Sequence, residues 1–87
     1  MKISLCKFGE ILISRPSGRE ALAVMRAYQK PADDKEKIEL DFTGVKVMAP
    51  SWLEEVLVGL REMYGDRVVC LPSRNPSVVE SLKAIEE

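Results

Sequence analysis

Three short stretches combine hydroxyl, amide or guanidinium groups with a proline: Ser14-Arg15-Pro16-Ser17, Pro50-Ser51-Trp52 and Ser73-Arg74-Asn75-Pro76. Their chemistry is that of binding. Arginine and serine beside the start of a helix suit an anion, because the first turn presents unpaired N–H groups and the positive end of the helix dipole. The same residue types also cap helices, and capping accounts for Ser17, Ser51 and Ser77 without any ligand. Candidates for an interaction or anion-binding surface are therefore Ser14, Arg15, Ser17, Ser51, Trp52, Arg74 and Asn75, with Lys46 and Ser73 as neighbours. Trp52 has two readings, an interface anchor of the kind that dominates binding energies or a core residue.

Support for catalysis is thin. The chain has no histidine, no glycine-rich phosphate loop and only two cysteines, Cys6 and Cys70. Both thiols fall in stretches that read as strands, and the expectation is small, buried, reduced side chains without catalytic duty. Asp41 could pose as a general base, but a carboxylate on an exposed strand face is far more often simply solvated. The reading is a protein that is not an enzyme, with no metal site and no cofactor.

The elements that carry these groups follow from periodicity. Ile38, Leu40 and Phe42 alternate with Glu39 and Asp41, as in a strand with one face on a core. Gly44 and Pro50 punctuate the connection that follows. Ser51 and Glu54 then stand at the spacing of a capping box. Steps of 100° put Trp52, Leu53, Val56, Leu57, Leu60, Met63 and Tyr64 in one arc, with Val58 alone among charged residues opposite. Residues 2–8 and 11–14 read as an N-terminal antiparallel hairpin turning at Gly9-Glu10. A second box, Ser17 with Glu20, opens a helix over 18–29 that buries Ala21, Leu22, Val24, Met25 and Tyr28. Residues 31–37 read as a solvated connection and 67–71 as a short strand. The last helix, 77–86, starts at Ser77-x-x-Glu80 or equally well at Asn75 as cap with Pro76 at its first position.

The order predicted is β-β-α-β-α-β-α: an α/β fold with a four-stranded mixed sheet and helices 18–29, 52–64 and 77–86. Three strand-loop-helix units in succession imply parallel strands with right-handed crossovers. The loops 14–18, 43–51 and 72–77 would then emerge on one edge, where ligand crevices form in open α/β sheets.

A chain of 87 residues is one domain, 1–87, and so small a core gains from pairing with something. A net charge of −1 argues against a coat for nucleic acid or for anionic lipid. No apolar run approaches the roughly 20 residues that cross a bilayer. Ser4, Cys6 and Lys7 break any signal-peptide pattern at the start. The expected location is cytoplasmic, with no nucleic acid and no membrane as partner.

The segment Leu40-Asp41-Phe42-Thr43-Gly44-Val45 through Met48-Ala49-Pro50-Ser51-Trp52-Leu53 resembles the signature of STAS domains, the modules of anti-sigma-factor antagonists and of sulfate-transporter tails. Together with Ser14-Arg15, it is more similar still to a prokaryotic STAS-like family of unknown function. The resemblance implies a regulatory protein-interaction module whose partner is a histidine-kinase-like ATPase or a sensor. It also places Ser51 where the antagonists carry a phosphorylated serine. Ala49, Pro50 and Trp52 depart from the acidic residue, serine and glycine found there. A nucleotide- or oxyanion-binding domain and a homo-oligomeric structural subunit are the other two readings.

Overall fold

The computed structural model describes residues 1–86. Ile3 is sealed inside while Lys2 projects outward, and this alternation defines the first strand, β1 (Lys2–Ser4). No hairpin follows. Leu5–Phe8 close a 3-10 turn in which the Gly9 N–H reaches the Cys6 carbonyl at 3.1 Å, and β2 (Ile11–Leu12) comes next. The Glu10 carbonyl accepts instead from Lys46 and Val47, at 2.8 and 3.0 Å. The Gly9-Glu10 connection is thus tied to residues 46 and 47 instead of closing a hairpin.

Every strand pairing is parallel. β1 lies beside β3 (Ile38–Asp41), and β3 beside β5 (Val68–Cys70), in the order β1-β3-β5. β2 pairs separately with β4 (Val47–Met48), a strand hidden in what reads as a loop. The expected four-stranded mixed sheet is therefore two all-parallel sheets of three and two strands. The same two chain segments run through both. Between Ser4↔Asp41 and Ile11↔Val47 the first segment advances seven residues and the second six. This one-residue excess breaks the ladder, as a bulge does. Gly44 sits at the break with φ 90°, and a Cβ there would lie 3.0 Å from the Cys6 sulfur, so both backbone and space require glycine.

The helices are α1 (Arg15–Tyr28), α2 (Pro50–Tyr64) and α3 (Pro76–Glu86). α1 begins three residues and α2 two residues earlier than expected, and α3 takes the second of its two expected starts, at Pro76. The Ser14 hydroxyl accepts from the Ser17 N–H at 3.2 Å, so the cap is Ser14 rather than Ser17, with Pro16 in the first turn. α2 has Ala49 at its cap position, with no side-chain capping bond, and Pro50 at its first position. Ser51 is therefore not a cap. α2 is the central helix, contributing Trp52, Leu53, Val56, Leu57 and Leu60 to a core shared with Ile3, Leu12, Met25, Ile38, Leu40 and Val78. Val24, Tyr28 and Met63, expected inside, are exposed.

Residues 31–37 are tied down as well as solvated. Asp33 Oδ1 accepts from the N–H groups of Lys35 and Glu36, and Arg67 donates to the carbonyls of Glu36 and Asp33 at 3.0 and 2.6 Å. The Arg67 guanidinium also lies 5.5 Å from the Tyr64 ring centre.

Candidate interaction site at the helix N-termini

α1 and α2 cross in unusually close contact because a glycine faces the partner helix from each side. A Cβ on Gly18 would stand 2.8 Å from the Trp52 carbonyl oxygen, and one on Gly59 would stand 2.2 Å from a Leu22 methyl. This approach brings together five of the expected residues. Ser14 caps α1, and Ser17 one turn on accepts the Trp52 indole N–H at 3.3 Å. The Ser51 hydroxyl donates to the Ile13 carbonyl at 3.0 Å, and Arg15 Nη1 lies 3.0 Å from Glu54 and 3.3 Å from Glu55.

Trp52 takes the core reading. Its side chain is fully buried, and the indole N–H that burial would otherwise leave unsatisfied finds Ser17. It offers no surface to a partner. Arg15 is exposed but not electrostatically free: hydrogen bonds it donates to Glu54 first, then Glu55, hold its guanidinium pKa above the usual value. An anion at this edge competes with two carboxylates already in place.

A groove of about 420 Å³ runs on from these pairs between α1 and α2. Its walls carry Arg15, Arg19 and Arg26 from one helix and Glu54, Glu55 and Glu62 from the other, over Leu22, Val58 and Gly59. Arg19 lies 3.6 Å from Glu55, whereas Arg26 turns its Nε toward the Met63 sulfur at 3.3 Å. Sequence reasoning left out Arg19, Arg26 and Glu62. Their signal was present, since Arg15, Arg19 and Arg26 recur at helical spacing on α1, as do Glu54, Val58 and Glu62 on α2.

Arg74 and Asn75 belong to a second cluster, at the start of α3. Asn75 is the cap, its Oδ1 accepting the Ser77 N–H at 2.9 Å, which settles the two possible starts in favour of Asn75-Pro76. Its amide nitrogen donates to the carbonyls of Val45 and Lys46, at 2.8 and 3.0 Å. Ser77 Oγ accepts the Met48 N–H, and Ser81 Oγ, buried, donates to the Met48 carbonyl. Three side chains of α3 and its cap thus bond the edge of β4 as a neighbouring strand would. Asn75→Asp separates the two duties, because aspartate caps as well as asparagine but cannot donate. The expected cost in urea denaturation at pH 7 is about 1–3 kcal/mol, with a carboxylate against two carbonyls. A neutral Asp variant would reduce Asn75 to a cap.

Asp41 makes a turn. Its Oδ1 accepts the Thr43 N–H at 3.1 Å and the Thr43 hydroxyl at 2.8 Å, and these bonds hold its carboxyl below the ordinary aspartate range. Cys6 lies in the 3-10 turn rather than a strand, its sulfur 3.3 Å from the Ser4 hydroxyl. Both thiols are free and half-buried rather than fully buried, and burial pushes the Cys70 thiol pKa up. β3 lies between the strand that Cys6 follows and the strand that carries Cys70.

No helix among the described residues is long and apolar enough to cross a membrane. No curated protein and no solved structure matches the chain. A family model, that of the STAS-like domain of unknown function (DUF4325), matches residues 22–70. That span runs from the middle of α1 through β3, β4 and α2 to the end of β5, and leaves before it β1, β2 and the start of α1 with Ser14, Arg15, Ser17 and Gly18. With more than half of its length covered, the chain belongs to this STAS-like family.

Proposed function

We propose that the protein is a non-enzymatic regulatory module that docks a protein partner on the α1–α2 face, with Ser51 at the edge of the docking site as its switch point. The observation that carries this reading is the groove itself. It is open, lined by three arginines and three glutamates, and floored by Leu22 and by Val58, which is 47% exposed. Charges of both signs around an apolar strip give a protein partner register and discrimination. The STAS resemblance adds the class of partner, a histidine-kinase-like ATPase.

Ser51 stands in the first turn of α2, three residues before Glu54. A phosphate there gives up the bond to the Ile13 carbonyl and meets the helix N-terminus, Glu54 and Glu55. Arg15, now paired with both glutamates, is the cation nearest in sequence logic to answer the added charge. The switch therefore works by redistributing one arginine among three anions.

The test is calorimetric titration of a histidine-kinase-like ATPase from the same genome against wild type and four variants. Arg26→Glu and Glu62→Arg should each weaken binding at least tenfold with an unchanged melting temperature, because both side chains are exposed. Ser51→Asp should alter affinity, while Ser51→Ala loses one hydrogen bond, about 1 kcal/mol of stability, and binds as wild type. Equal affinity across all five proteins would remove the groove and the switch together.

A further inference from the structure

Each sheet has one buried face, and the two opposite faces differ in kind. On the three-stranded sheet the outward positions are Lys2, Ser4, Glu39 and Asp41, with the half-buried Val69 as the apolar exception. On the two-stranded sheet they are Ile11, Ile13 and Val47, which are 62%, 53% and 44% exposed. Ile11 and Val47 are register partners, so these side chains form one apolar patch. β4 has both edges occupied, by β2 and by the α3 side chains, whereas β2 is paired on one edge only. The carbonyls of Glu10 and Leu12 face β4, accepting from Val47 and Ala49 at 3.0 and 2.9 Å. Alternation then turns the backbone groups of Ile11 and Ile13 to the other edge, where the Ile13 carbonyl already accepts the Ser51 hydroxyl at 3.0 Å and keeps a second lone pair for a strand partner. Natural edge strands carry lysine, proline or a bulge against chance pairing, and Ile11-Leu12-Ile13 carries none.

We infer that a second copy of this chain occupies that edge, β2 pairing with β2 antiparallel about Leu12 to give a continuous sheet in the order β4-β2-β2-β4. A closed two-fold dimer through an edge strand is necessarily antiparallel. Ile11 of each copy then stands opposite Ile13 of the other, forming two apolar cross-strand pairs beside Val47. Charge is compatible with the same orientation, with Glu10 already paired to Lys46 at 2.9 Å and Arg15 to Glu54 and Glu55. The stretch Glu10-Ile11-Leu12-Ile13-Ser14-Arg15 is acidic at its start and ends where α1 presents its N-terminus. Antiparallel pairing sets each Glu10 against Ser14 and the start of α1 in the other copy, and a net charge of −1 leaves little repulsion between copies. A hollow of about 180 Å³ is framed by Phe8, just before β2, and by Ser17, Glu20, Ala21 and Val24 of α1, just after it. Three residues of strand bury less than the roughly 1,200 Å² of a standard interface, so the affinity is micromolar rather than nanomolar.

Sedimentation velocity on the full chain over a concentration series should show a monomer–dimer equilibrium. Ile11→Lys, at an exposed position, should weaken it at least tenfold while the circular dichroism melt is unchanged, and Glu62→Arg in the α1–α2 groove should leave it alone. Amide chemical shifts of wild type on dilution supply a reading that needs no variant, with changes confined to residues 9–15 and 47. A monomer at every concentration, a dimer indifferent to Ile11→Lys, or dilution shifts located elsewhere would overturn the inference. None of these outcomes bears on the groove proposed for the ATPase.

Discussion

Trp52→Ala lowers the unfolding free energy by about 3–5 kcal/mol, the range for truncating a large aromatic in a packed core. The side chain is fully buried at the start of the central helix. For a domain whose total stability is of the order of 5–15 kcal/mol, this is a large share of it. Trp52→Phe retains most of the apolar volume but leaves Ser17 without the indole donor, and should cost about 1–2 kcal/mol. Urea denaturation of the three proteins checks both values. A Trp52→Ala loss below 1 kcal/mol would mean that the indole is not in the core.

The second large effect is an asymmetry between two glycines. Within a helix, Gly→Ala ordinarily gains about 1 kcal/mol. At Gly18 the sign reverses, because the new methyl meets the Trp52 carbonyl oxygen at 2.8 Å and only a shift of one helix relieves it. Overpacking of this kind costs about 1–3 kcal/mol. Gly59→Ala is also destabilising, but there the obstacle is the Leu22 side chain. Adding Leu22→Ala should therefore recover part of the loss in Gly59→Ala and none of the loss in Gly18→Ala. Double-mutant cycles on chemical denaturation read this directly. Equal rescue at both positions would mean that the helices slide freely past one another.

Local pattern carried the helices further than the sheets. The apolar arc of α2 keeps its periodicity over about four turns, and its C-terminus at Gly65, φ 60°, fell where a helix-ending glycine belongs. The start of α1 was misplaced because two serines compete for the cap. Ser17 has a glutamate three residues on, but Ser14 has Pro16 and the extended backbone that a cap requires. β4 escaped notice because two residues are too few to alternate. The parallel pairing of β1 with β3 depends on residues 37 positions apart, and nothing between Gly9 and Glu10 reports on them. Among the site residues, Trp52 and Asn75 were legible by type but not by role. An indole at the margin of an apolar arc becomes core only when Ser17 is there to receive its N–H, and that contact spans 35 residues.

The bonds from α3 to β4 make the last helix part of a ladder rather than a lid upon it. α3 itself is lightly anchored, with Val78 and Ser81 its only fully buried residues among those described. Regions with few buried contacts open at lower free energy than the core. Yet each time α3 lifts, the Met48 amide loses Ser77 and the Met48 carbonyl loses Ser81. Deuterium uptake at Met48, deep in the middle of the chain, is thereby clocked by the departure of its final eleven-residue helix, and the two ends of that exchange unit share one opening rate.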